Sequence, residues 1–335
     1  MILFRADGGL DIGMGHIYTT TAIANKLREN GLKCEFLMKN SNSKYEIGRN
    51  EVKKNGFKIN DIKSDKEVKK FVFENKPELI FIDLKNLNKS LLKNLNKIPN
   101  LTIITTSFFN KIPKKIEFNY LINWFAGLER SEKKEYYLGP NFFPIRENVI
   151  PLHEKEKNFK KSKKDILVTI GGGKDKYKVL LKISQELRKI SNIGKVYILL
   201  GNNSNENYKK EFGQLPKNFE IFNTTDDIFN LMYNADIAIT SGGNTTYELA
   251  CIGTPAIYMC IVPHQLKTAE AWHKIGAGIN LGYAPKISTK RIRETIISLL
   301  SDEVLLKEMS EKGKKKVDGR GLERITKIIL KNKSQ

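Results

Sequence analysis

Short apolar runs separated by helix-patterned stretches recur along this chain, and that alternation restricts it to parallel α/β architecture. In the first half, Ile2–Ala6, Cys34–Met38, Leu79–Asp83, Leu101–Thr106 and Tyr120–Trp124 read as buried strands. After His16, residues Ile17, Thr20, Ala24 and Leu27 fall on one helical face, and Gly31 is placed to end that helix. The stretch LHEKEKNFKKSKK from Leu152 to Lys164 is nearly all charged and has no apolar period, so residues 151–164 read as a linker. The pattern then restarts with Ile166–Ile170, Val196–Leu200, Phe219–Phe222, Asp236–Thr240 and Ala256–Cys260, and from about Thr289 onward it reads as helices. Two Rossmann-like α/β domains are expected, 1–150 and 165–335, with a cleft between their sheet ends, where such proteins bind ligands.

Composition narrows the function. A 40% hydrophobic content over 335 residues suffices for a core in each half. The three cysteines, Cys34, Cys251 and Cys260, form no CxxC pair, which argues against a disulfide framework or a zinc site and fits a reducing cytoplasm. No signal peptide is read at the start, and the weakly charged stretch Leu249–Val262 is too short to span a bilayer. The formal charge of +21 comes from scattered lysines without interleaved aromatics, so nucleic acid is not the expected partner; contact with acidic membrane stays open.

Three glycine clusters each join a strand to a helix: RADGGLDIGMGH at Arg5–His16, TIGGGK at Thr169–Lys174 and SGGNTTYE at Ser241–Glu248. Glycine lets backbone approach a ligand, and a helix start presents unpaired amides, so Gly13, Gly15, Gly171, Gly172, Gly242 and Gly243 are candidate phosphate contacts. The spacings fit neither the nucleotide-triphosphate loop nor the dinucleotide fingerprint. In the third cluster Asn244 or Thr245 can cap the helix. Glu248, one turn in, either accepts the hydroxyls of a ribose or closes a capping box. His264 and Gln265 lie in the loop after the next strand and can contact a ligand. His16 begins the first helix, where it either serves as a general base, kept neutral by the helix dipole, or only packs. His153 in the charged stretch reads as solvated, and His273 beside Trp272 as packing. No metal-ligand spacing is present, and no cofactor is expected.

Together these segments resemble the UDP-sugar hydrolase family of pseudaminic acid biosynthesis, which releases UDP from UDP-2,4-diacetamido-2,4,6-trideoxy-β-L-altropyranose. That family is related to spore-coat polysaccharide proteins and, more distantly, to the lipid-linked N-acetylglucosaminyltransferase of peptidoglycan synthesis. The resemblance is carried by RAD and IGMGH within Arg5–His16, YYLGPNFFPIRENV at Tyr136–Val149, ILVTIGGG at Ile166–Gly173, SGGNTTYELACIGTP at Ser241–Pro255 and VDGRGLERI at Val317–Ile325. It implies a GT-B-like fold with UDP held mainly by the second domain. In that mechanism His16 activates water toward the anomeric carbon, Glu248 meets the ribose, Arg146 matches the family arginine, and amides of the Gly243–Thr246 turn stabilise departing UDP without metal. The family's Asp-His-Tyr is here Asp83-Leu84-Lys85: Asp83, a candidate substrate contact, is retained, and the two positions that differ form the tail that the resemblance puts beside the sugar. The expected reaction is therefore hydrolysis of a UDP-linked diacetamido-trideoxy sugar. The alternative is a glycosyltransferase using the same donor site; a non-catalytic binder would leave His16 idle.

Overall fold

The computed structural model describes residues 1–9, 13–40, 42–84, 87–106, 118–129, 131–172, 174–201, 206–225 and 227–333. The chain divides into two compact units, residues 1–147 with 320–335, and residues 148–319.

The first unit alternates strand and helix: β1 (Ile2–Ala6), α1 (Gly15–Glu29), β2 (Cys34–Lys39), α2 (Asn42–Lys54), β3 (Lys58–Ile62), α3 (Lys66–Asn75), β4 (Leu79–Asp83), α4 (Lys89–Leu95), β5 (Thr102–Thr105), β6 (Tyr120–Asn123) and β7 (Tyr136–Leu138). Its sheet is parallel, in the order β3-β2-β1-β4-β5-β6-β7. Strand order therefore reverses direction between β1 and β4. The apolar face of α1 is as expected, with Ile17, Thr20, Ala24 and Leu27 fully buried. Gly31, at φ 77°, ends the helix by donating its amide to the Arg28 carbonyl, while Leu32 donates to Leu27.

The second unit runs α5 (Ile150–Glu154), β8 (Lys164–Thr169), α6 (Val179–Leu187), β9 (Ile193–Leu199), α7 (Glu206–Glu211), β10 (Phe219–Phe222), α8 (Ile228–Asn234), β11 (Ile237–Thr240), α9 (Thr245–Ile252), β12 (Ala256–Cys260), α10 (Gln265–Ile275), β13 (Gly278–Tyr283), α11 (Thr289–Ser301) and α12 (Glu303–Lys316). Its parallel sheet has the order β10-β9-β8-β11-β12-β13, reversing between β8 and β11. Its core joins Ile166, Val168, Ile237 and Ile257 of the strands to Leu180, Ile183, Ile292 and Ile296 of α6 and α11.

Two expectations are corrected. The charged stretch 151–164 is not a solvated linker. Leu152 and Phe159 are buried in the second unit, and the His153 Nδ1 lies 2.7 Å from the Cys251 carbonyl. The Lys157 amine donates to the Tyr233 and Ala235 carbonyls, both at 2.6 Å, and to Thr254 Oγ1 at 2.9 Å. A lysine stem can lie along apolar surface while its head satisfies the open carbonyls at the end of α8, so charge alone did not mark a hinge. The last helix, α13 (Gly321–Lys333), belongs to the first unit, not to a domain running from 165 to 335. There Arg324 donates to the Asn141 carbonyl at 2.9 Å, and Tyr120 donates to Asn332 at 2.6 Å. Among the described residues no helix is long and apolar enough to cross a membrane.

Candidate functional site

In open parallel sheets, ligands bind beyond the carboxyl ends of strands where the strand order reverses. In the first unit this reversal brings together the start of α1 and the end of β4. The His16 Nδ1 lies 2.8 Å from Asp83 Oδ1 across it. Asp83 Oδ1 also accepts from the Thr106 hydroxyl at 2.7 Å, and Oδ2 accepts from Thr19 at 3.0 Å. Burial opposes the Asp83 charge, yet the adjacent His16 and the bonds from His16, Thr106 and Thr19 outweigh it and hold the carboxyl below its ordinary range. A carboxylate at Nδ1 selects the tautomer protonated there, which puts the lone pair of a neutral ring on Nε2. Asp83 thus orients His16, a role its position at the end of an apolar run did not reveal. Thr19 and Thr106 were missed altogether. Thr19, three residues after His16 on the same helix face, was within reach of a periodicity argument; Thr106 was not, because β5 meets β4 only through the strand order.

The glycines of the first turn divide by cause. A Cβ on Gly8 would collide with Ile17, and one on Gly9 with the Lys44 carbonyl, so this pair is explained by close approach of α1 and α2. Gly13, at φ 84°, has open space around its Cα and pairs with Gly9 through amide–carbonyl bonds of 2.8 and 3.2 Å; Gly15 opens α1. Arg5 and Asp7 are structural: the fully buried guanidinium donates to Asp7 at 2.7 Å and Asp65 at 2.9 Å, while Asp7 accepts from the Lys39 amide. Leu84 is buried in the first unit's core. Lys85 lies outside the described residues, and Arg146 is exposed just before the first unit's break at 147.

The second unit's reversal joins the ends of β8 and β11. Ser241 donates to the Ile170 carbonyl at 3.0 Å, and a Cβ on Gly171 would stand 3.2 Å from Thr245 Oγ1. Gln265 braces the turn, accepting from the Ile261 amide at 2.9 Å and donating to Ser241 at 3.2 Å. A Cβ on Gly242 would lie 2.6 Å from the Gln265 carbonyl oxygen. Below, Thr246 donates to the Gly243 carbonyl at 2.8 Å and accepts from the buried Trp272 indole at 2.9 Å. The turn is thus braced from below, and within it the Thr246 and Tyr247 amides donate to the Gly243 and Asn244 carbonyls at 3.1 and 2.9 Å.

Helix capping separates the two glycine turns of this unit. Asp175 accepts from the Val179 amide at 2.7 Å, the Leu180 amide at 3.0 Å and the Tyr208 hydroxyl at 2.5 Å. The first amides of α6 are therefore met by the chain's own carboxylate. Gly172 is exposed beside it, and Gly173 lies outside the described residues. At α9, Asn244 occupies the cap position in helical conformation with no side-chain cap, so the expected capping by Asn244 or Thr245 is absent there. Counting from Asn244, Glu248 is the fourth helical residue, whereas a capping box places its acid third. Glu248 is half-buried. His264 is exposed at the start of α10, and the exposed His273 has Nδ1 3.2 Å from the Gly278 carbonyl.

Residues 165–324 match the family model of the glycosyltransferase family 28 C-terminal domain. The chain is 25% identical to the spore coat polysaccharide biosynthesis protein SpsG of Bacillus subtilis, over 97% of this chain and 96% of that protein. It is 24% identical to the UDP-2,4-diacetamido-2,4,6-trideoxy-beta-L-altropyranose hydrolase of Campylobacter jejuni, over 84% of this chain and 99% of that protein. Among solved structures, Acinetobacter baumannii MurG superposes with a TM-score of 0.71 at 16% identity, covering 98% of this chain and 99% of that one. The fold is GT-B, as expected from the sequence: two parallel α/β sheets.

Proposed function

We propose that this chain hydrolyses a UDP-linked 2,4-diacetamido-2,4,6-trideoxy sugar to free sugar and UDP. The observation that carries the reading is the His16–Asp83 contact, a base with its tautomer set by a buried carboxylate. His16 Nε2 takes a proton from water as the water oxygen attacks the anomeric carbon. The bond from that carbon to the phosphate oxygen breaks, and its electron pair leaves with UDP. The amides of Gly243, Asn244 and Thr245, ahead of the Thr246 and Tyr247 amides that donate to the Gly243 and Asn244 carbonyls, hold the diphosphate and stabilise the departing charge, and Glu248 accepts the ribose hydroxyls. Gly13 and Gly15 in the first unit and Gly171, Gly242 and Gly243 in the second enter as glycine-turn residues, Arg146 on family resemblance alone and His264 on its place in the loop after β12.

Similarity to the Campylobacter hydrolase over 84% of this chain supports water as the acceptor. A glycosyltransferase using the same donor site is the second reading, favoured by the family model matched over 165–324. The two separate when the chain is incubated with the UDP-linked diacetamido-trideoxy sugar alone and followed by NMR. Stoichiometric UDP and free sugar at enzyme-like rates are expected; UDP release only after adding a glycan, lipid or protein acceptor would make the transferase reading correct. His16→Asn should lower turnover by roughly 10²-fold or more with UDP affinity kept. Glu248→Ala should weaken UDP binding about tenfold or more, from loss of roughly 1.5–3 kcal/mol of charge-assisted bonding. Unchanged UDP binding in that variant would remove Glu248 from the site.

A further inference from the structure

We infer that Thr106 is a positioning residue for His16, acting through Asp83; the inference rests on His16 as the catalytic base. The Asp83 carboxylate is only 2% exposed, so protein donors rather than bulk water must satisfy most of its lone pairs. Among the described residues three groups face it: His16 Nδ1 and the Thr106 hydroxyl on Oδ1, and the Thr19 hydroxyl on Oδ2. The two threonines are not equivalent. Thr19 has one hydroxyl proton and three acceptors within reach, the Gly15 carbonyl at 2.9 Å, the His16 carbonyl at 3.2 Å and Asp83 at 3.0 Å. A helical threonine readily turns that proton back to its own helix. The Thr106 hydroxyl is directed to Asp83 at 2.7 Å, and its backbone amide is pinned to the Ile82 carbonyl at 3.1 Å, which fixes the side chain beside the carboxylate. Thr106 is itself buried.

The consequence is a division of labour on one oxygen. Thr106 holds Asp83 Oδ1 in place, and that oxygen in turn holds the Nδ1 proton of His16. Without that hydroxyl, only the shared Thr19 proton and His16 itself hold the carboxylate, and the imidazole's tautomer is less firmly set. Thr105, one residue earlier, is equally buried but donates to the Ile82 carbonyl at 3.2 Å, which supplies a packing control on the same strand.

The test compares T106V, T106S and T105V by two readouts. With the UDP-sugar, T106V should lose roughly tenfold in kcat with KM within about twofold, T106S should recover most of it, and T105V should match the parent. Independently of turnover, nitrogen-15 NMR of the histidine rings near neutral pH should show His16 protonated at Nδ1 in the parent and in T105V, and a tautomer mixture in T106V. Should T106V fail to fold, T106C, with a weaker donor of similar size, makes the same comparison. His16 ring signals identical in the parent and the Thr106 variants would overturn the inference. A parent protein inactive on UDP-sugars, with ring signals still dependent on Thr106, would overturn the functional reading and leave the positioning role standing.

Discussion

Asp83 shows how much a single buried carboxylate can decide. Its folded value lies below the ordinary one, so the stability it contributes is complete above about pH 4, the unfolded aspartate range, and is lost as pH falls through the folded value. Asp83→Asn should therefore flatten the acid limb of stability measured by urea unfolding while cutting turnover. An acid limb unchanged from the parent would show that the carboxylate is not held charged by its partners. The cysteines are the opposite case. Burial pushes Cys34, Cys251 and Cys260 up to about 12, so none is a thiolate nucleophile at neutral pH.

At the scale of elements, what separates one strand–glycine–helix unit from another is the fate of its first amides. Two of these helices, α6 and α9, look alike in sequence, yet Asp175 fills the start of α6 and no side chain caps α9. Asp175→Ala should cost about 1 kcal/mol or somewhat more in stability, the usual worth of a lost helix cap, and leave UDP affinity within about twofold. Gly242→Ala should weaken UDP binding as well as cost about 1–3 kcal/mol in stability, because its new methyl would meet the Gln265 carbonyl and displace the turn that opens α9. Calorimetric titration with UDP distinguishes them; a loss of UDP affinity in Asp175→Ala would return the diphosphate to α6. The strands β3, β7 and β13 lie outside the strands expected from the sequence, and all three are sheet edges: polar or half-exposed residues break the apolar run in β3 and β13, while β7 is only three residues long. The central strands, and the edge strand β10 with its Phe219-Glu220-Ile221-Phe222 alternation, carry the pattern openly.

For the molecule as a whole, the chain's last helix belongs to the unit in which the chain began. Ile325 and Ile329 of α13 are fully buried, and a Cβ on Gly321 would collide with the Phe143 carbonyl, so α13 is an integral layer of the first unit. Removing residues 320–335 should abolish or sharply lower the thermal transition of the first unit, since each large buried aliphatic is worth roughly 2–5 kcal/mol. The second unit, which lacks those residues, should keep its own transition. Scanning calorimetry that shows both transitions unmoved would mean α13 is dispensable.

The sequence by itself determined what is local. Periodicity over a few residues placed the central strands, the buried face of α1 and its end at Gly31, and glycine followed by a helix start singled out His16 and Glu248. Tertiary structure decided what is not local. Which strand lies beside which is set by packing across the sheet, and only that order puts β4 next to β1 and turns Asp83 from a strand-end residue into the partner of His16. The same order brings Thr106 to the carboxylate and Ser241 to Ile170. The charged stretch after Val149 misled for a related reason: a lysine's charge is visible in sequence, but the open carbonyls of α8 that draw the Lys157 amine inward exist only once the second unit has folded.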